Sequence, residues 1–142
     1  MRISGVDASV VVDTGPIVAM LDADEANHDW VMSQVQRLRA PLVTCEAVLT
    51  EAAFLMSRAG VDSSIVPQLV TRGFVTIAKL FDDDAAQIVR LMARYRNVPM
   101  SLTDACLVKL VERTPNATLF TLDSDFSIYR QKGRRLIPLL AP

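Results

Sequence analysis

The 142-residue chain is 51% apolar and 22% charged, with a formal net charge of −1. That length bounds it to one domain, residues 1–142, able to bury a real core, and the composition excludes a disordered or fibrous class. No apolar run approaches the roughly 20 residues that cross a bilayer, and the charge excludes attachment to nucleic acid by overall basicity alone.

Met1 to Gly5 lacks a secretion-signal pattern, so a cytoplasmic location is expected. Val10 to Val12 is a short β-branched run of the kind a doubly covered strand shows. Asp13-Thr14-Gly15-Pro16 reads as a turn, followed by a short helix over Ile17 to Leu21. A second helix is expected from Asp24 to Arg39, with Trp30, Val31, Val35 and Leu38 on one face and His28 in solvent. Pro41 to Val43 is a minimal strand, and Thr44 is placed as the N-cap of a helix that Gly60 ends. On that helix Cys45, Val48, Ala52, Leu55, Met56 and Ala59 share an arc, with Glu51 at its border. Both cysteines, Cys45 and Cys106, read as small core residues without a disulfide.

Ser63 to Arg72 reads as helix, with Pro67 near its first turn, and Phe74 to Leu80 as strand. Asp82-Asp83-Asp84 opens a helix to Arg96, where negative charge suits the dipole. Ser101-Leu102-Thr103-Asp104 has the form of a capping box, opening a helix to Arg113 that buries Ala105, Leu107, Val108 and Val111. After a turn at Pro115-Asn116, Thr118 to Leu122 is a second buried strand, ending at Asp123-Ser124-Asp125-Phe126. Arg130 to Arg135 reads as a basic loop and Leu136 to Leu140 as a last strand. Strands alternating with helices imply an α/β fold with a parallel sheet covered on both faces.

Ligands of such sheets bind beyond the carboxyl ends of the strands, where Asp13 and Asp123 fall. Asp104 stands in a first helical turn, and Glu51 is long enough to reach inwards. Each has a bland explanation as a cap, turn former or surface acid; together they gather negative charge that a divalent cation would neutralise. Oxygen ligands without His or Cys fit Mg²⁺ or Mn²⁺ and argue against zinc. There is no Ser–His–Asp set and no Gly-rich phosphate loop.

Val12-Asp13-Thr14-Gly15-Pro16, Thr50-Glu51, Leu102-Thr103-Asp104-Ala105 and Thr121-Leu122-Asp123-Ser124-Asp125-Phe126 resemble, in order and spacing, the acidic motifs of PIN-domain nucleases. The size resembles that of the stand-alone VapC-type toxins. The resemblance implies a three-layer α/β/α sandwich with a central, mostly parallel sheet and a Mg²⁺- or Mn²⁺-dependent endoribonuclease. It implies Asp13, Glu51, Asp104 and Asp123 as catalytic metal-binding acids, Asp125 as an extra ligand, and Thr14 and Thr121 as supports. It also implies an RNA substrate, a cognate antitoxin and a homodimer.

Arg130, Lys132, Arg134 and Arg135, or Arg94-Tyr95-Arg96 with Tyr95 as a stacking face, are candidate RNA contacts; a solvated loop and helix-end charges are the readings favoured for them. Leu55, Met56, Val66 and Leu69 are candidates for a partner surface, with core the favoured reading. Two other functions compete. One is a non-catalytic PIN scaffold that binds RNA or a partner peptide, which the presence of all four acids disfavours. The other is a receiver-like Mg²⁺-binding signalling domain with Asp82-Asp83-Asp84 as acceptor, which a single acid after the first strand disfavours.

Overall fold

A computed structural model describes residues 9–142 and, ahead of them, only the backbone of two short paired strands, β1 (Arg2–Ile3) and β2 (Val6–Asp7). The expectation resting on Met1 to Gly5 lies outside the described residues. The chain then enters β3 (Ser9–Val12), whose Val10, Val11 and Val12 are all buried, as a strand covered on both faces must be. Helices α1 (Thr14–Leu21) and α2 (His28–Val35) lead to β4 (Leu42–Thr44). From there α3 (Glu46–Arg58) and α4 (Ile65–Thr71) lead to β5 (Val75–Ile77), and α5 (Phe81–Arg94) and α6 (Leu102–Arg113) to β6 (Ala117–Phe120). A 3₁₀ turn (Ser124–Ser127) and an antiparallel hairpin, β7 (Arg130–Gln131) with β8 (Arg135–Leu136), precede β9 (Leu139–Leu140).

The main sheet runs β5-β4-β3-β6-β9 and every pairing in it is parallel, inside a three-layer α/β/α sandwich. Val11 pairs with both Val43 and Leu119, and Val12 with Phe120, so β3 and β6 form the centre. Successive strands step outward from β3 to β5 and then return to the far side of β3. Right-handed crossovers consequently leave the β3–β6 boundary towards opposite faces, and that boundary is the switch point of the fold. Val12, Leu42, Val75 and Phe120 lie under Pro16, Ile17 and Met20 of α1, while Trp30 meets Phe120 edge-on at 5.9 Å.

In order of sequence, the five strands lie third, second, first, fourth, fifth. A receiver-like sheet has its first and third strands adjacent instead. The receiver alternative is therefore set aside. Asp84, expected as a helix-dipole partner, is buried and accepts a hydrogen bond from Arg113 at 3.0 Å, tying the start of α5 to the end of α6.

Several expected boundaries move for local reasons. Asp13 itself caps α1, so that helix starts at Thr14 and contains Gly15-Pro16. Thr44 is no cap: it ends β4 and its hydroxyl donates to the Val12 carbonyl at 2.7 Å, stitching the two strands, while Cys45 holds the N-cap position. α2 is confined to His28–Val35, and His28, expected in solvent, is half-buried, with Nδ1 2.6 Å from the Ala19 carbonyl. β5 stops at Ile77, and the basic loop is the β7–β8 hairpin. Leu55 and Ala59 are exposed, leaving Val48, Ala52 and Met56 as the buried stripe of α3, whereas Met56, Val66 and Leu69 are core as favoured.

Candidate active site

The site grows from the ends of the two central strands. Asp13 follows β3; its Oδ1 accepts from the Thr14 amide at 2.6 Å, and its Oδ2 accepts from the Thr121 hydroxyl at 2.7 Å. The same Thr121 oxygen accepts from the Asp123 amide at 2.9 Å. One buried hydroxyl thus joins an acid after β3 to an acid after β6. Gly15 eases the close approach of these strand ends, because a Cβ there would stand 3.2 Å from the Leu122 Cβ and make it give way by a few tenths of an ångström.

Thr14 turns the other way, its hydroxyl donating to Glu51 Oε1 at 3.0 Å and drawing the half-buried mid-α3 acid towards the strand ends. Asp104 stands in the first turn of α6. It completes the reciprocal cap with Ser101: the Asp104 amide donates to the Ser101 hydroxyl, and the Ser101 amide to Asp104 Oδ2, each at 3.0 Å. Asp125 contributes its amide to Asp123 Oδ1 at 2.9 Å, holding the acidic turn after β6 in one shape.

The electrostatics show that these acids share a neighbourhood. Burial pushes the Asp13 carboxyl up to about 6, and the charges of Asp104 and Asp123 add to the rise, against the lowering by Thr121 and Thr14. Asp104 is raised too, first by burial and then by Asp123 and Glu51. The sequence-derived acids are therefore brought together, with Asp13 deepest.

Sequence reasoning missed Tyr129. Its ring is fully buried, edge-on to Tyr95 at 5.1 Å and to Phe126 at 5.3 Å, and its hydroxyl approaches Asp104 Oδ2 at 3.4 Å. Burial raises its pKa, and Asp104, Asp125 and Asp123 push it further, so it stays a neutral donor facing the acids. The available signal was a lone tyrosine close behind the fourth motif, since a buried phenol seeks a partner. Tyr95 fails as a stacking face: it is buried, and its hydroxyl accepts from the Arg130 amide at 3.1 Å.

Mutually repelling, partly desolvated oxygens with neutral hydroxyl supports are the donor chemistry of a hard divalent cation. The set fits Mg²⁺ or Mn²⁺ by composition and charge. Among the described residues, however, no three His, Cys, Asp or Glu side chains are already drawn up as an ion cage, so binding requires side-chain rotation towards the ion.

Comparison with known proteins decides the family. The family model described as "PIN domain" matches residues 10–132. The chain belongs to the PIN-domain family. This PIN domain is 28% identical over 127 residues to "Ribonuclease VapC26" of Mycobacterium tuberculosis (strain ATCC 25618 / H37Rv), a match covering 87% of this chain and 94% of the relative. Its fold matches the crystal structure of M. tuberculosis VapC20, described as a sarcin-ricin loop cleaving toxin. That match has a TM-score of 0.76 at 20% identity, over 84% of this chain and 94% of the other.

Proposed function

We propose that this PIN domain is a Mg²⁺- or Mn²⁺-dependent endoribonuclease, the toxin of a toxin–antitoxin pair, with Asp13, Glu51, Asp104 and Asp123 as its metal-binding catalytic acids. One observation carries the reading: a buried Asp13 carboxyl, raised to about 6 in the company of two other acids, sits at the switch point of a parallel sheet. The likeness to a protein named a ribonuclease supports RNA as the substrate. A cognate antitoxin and a homodimer accompany the same reading.

The bound ion would neutralise charge on the reacting phosphate and lower the pKa of water. Everything else falls to the chain. Asp13 would hold the ion deepest, its carboxylate fixed by Thr14 and Thr121, while the other acids turn towards it. Glu51, oriented by Thr14, and Asp104, oriented by Ser101 and Tyr129, would close on it from two helices. Asp123 would face the pair from the turn that Asp125 stiffens, with Asp125 itself as a further ligand. Tyr129 donates a hydrogen bond without ionising, which suits a positioning group beside anionic oxygens.

Purified protein is expected to cleave structured RNA with Mg²⁺ or Mn²⁺, and Asp13→Asn to lose the activity to background. Cleavage by wild type and variant at equal rates, or cleavage surviving excess EDTA, would remove the proposal. A non-catalytic scaffold would bind RNA without ever cutting it.

A further inference from the structure

Two basic stretches far apart in sequence become one surface in the fold. Arg94, in the last turn of α5, donates to the Gly133 carbonyl at the tip of the β7–β8 hairpin at 2.7 Å. From the other side, the Lys132 amide donates to Glu112 of α6, whose second oxygen pairs with Lys109. The tip itself is held in left-handed conformations, φ +50° at Lys132 and +82° at Gly133. Between α5 and α6 lies an open cleft of about 220 Å³ lined by Arg90, Arg94 and Lys109, with Glu112 its single acid.

Glu112 is already shared between Lys109 and the hairpin backbone, so it leaves the remaining cations uncompensated. Among the described residues, the exposed guanidinium groups of Arg90, Arg134 and Arg135 have no hydrogen-bond or ion-pair partner. Helix-end charges or a solvated loop would not require the hairpin to be pinned at two points against a cationic cleft. A volume of this size accommodates a phosphate group, and exposed unpaired guanidinium groups are the side chains that bind phosphate in two-point fashion.

The cleft also lies further along α6 than the acid Asp104. Lys109 and Glu112 lie five and eight residues beyond Asp104 on the same helix, about 8 and 12 Å along its axis. The segment Tyr129-Arg130, leading into the hairpin, touches Asp104 through the Tyr129 hydroxyl. A chain of phosphates running from the acidic site down the α5–α6 side would meet this cleft next.

We propose that Arg90, Arg94 and Lys109, with the Lys132–Arg135 hairpin tip, bind backbone phosphates of RNA whose reacting bond lies at the acids. This rests on the nuclease reading for the site, but it is a separate claim about where the rest of the RNA lies. In a chain of net charge −1, such a patch would supply the electrostatic affinity that overall composition does not.

The test uses the full chain in EDTA and a fluorescein-labelled single-stranded RNA of mixed sequence, with anisotropy followed across salt concentrations. Arg90, Arg134 and Arg135 are changed because their guanidinium groups hold nothing in the fold, which is thereby left intact, as circular dichroism melting would verify. Arg90→Ala/Arg134→Ala/Arg135→Ala is expected to weaken binding several-fold or more. It should also flatten the log K against log salt slope by about 0.7 for each phosphate no longer neutralised. Replacing the same three by Lys should restore most of the slope. An unchanged slope and affinity in the Ala variant, or binding of polyglutamate but not RNA by wild type, would overturn the assignment.

Cleavage with Mg²⁺ run in parallel separates the two claims. A wild type that cuts RNA while the Ala variant keeps its slope leaves the nuclease reading standing and removes this surface. Patch-dependent binding without cleavage does the reverse.

Discussion

At Asp13 two influences oppose each other: hydrogen bonds from Thr121 and Thr14 favour the carboxylate, while burial and neighbouring acids favour the acid form and prevail. The sign follows directly. Between pH 4 and about 6 the folded chain keeps a proton that the unfolded chain, with its carboxyl near 3.8, has released. Stability therefore falls as pH rises through that window and stays lower above it. A tenfold equilibrium step is worth about 1.4 kcal/mol, which makes the loss about 3 kcal/mol. Asp13→Asn escapes it and gives up about 1 kcal/mol of hydrogen bonding. In EDTA the variant should be more stable than wild type by about 2 kcal/mol above pH 6, and below pH 4 the order should reverse, with the variant less stable by about 1 kcal/mol. Urea unfolding across pH checks this, and equal stability throughout would contradict it. Thr121→Val removes the bridge between two acids and leaves the Asp123 amide without its partner, at a cost of about 1–3 kcal/mol. A thermal melt should show that loss, and RNA cleavage should fall further than the stability change explains.

Among the elements, α6 couples folding to the site most directly, since its reciprocal cap is made by Ser101 and the acid Asp104. Ser101→Ala is expected to cost about 1 kcal/mol of stability by leaving the Asp104 amide without its acceptor, while the bond from the residue-101 amide to Asp104 Oδ2 remains. A lowered unfolding midpoint with Mn²⁺ affinity little changed bears this out; an unchanged midpoint would contradict it. This cap was legible in sequence because all its parts lie within four residues. The central strand β3 was legible for a similar reason, as a β-branched run bounded by turn residues, whereas the expected last strand, Leu136 to Leu140, divides between the hairpin and β9. What stayed hidden depended on distant partners. Thr44 reads locally as a helix cap, yet the neighbouring Val12 carbonyl claims its hydroxyl. Leu55 fits the apolar arc of α3, but it is exposed, uncovered by any of the described side chains. Tyr129 and Tyr95 gain their roles only when the hairpin folds back on α5 and α6.

For the whole molecule, the organising fact is that crossovers diverge from the β3–β6 boundary, where β3 leads into Asp13 and β6 into Thr121 and Asp123. Four acids from distant parts of the chain gather near that boundary; Thr14 links Asp13 with Glu51 and Thr121 links Asp13 with Asp123, while Asp104 is held by Ser101 and Tyr129. The alternation of strands and helices was readable from sequence; the order of strands was not, because parallel pairing joins residues as distant as Val12 and Phe120. On the proposed reading, acids that repel one another without a cation would make the whole fold respond to divalent metal. Any ion that binds only the folded state must raise the unfolding midpoint by mass action.

Calorimetric titration of Mn²⁺ into chelator-treated protein without RNA is the most direct measurement. Wild type should give saturable heat and Asp13→Asn should give none. A featureless titration of wild type, or the same binding in both proteins, would mean that these carboxylates meet for some purpose other than holding a metal ion.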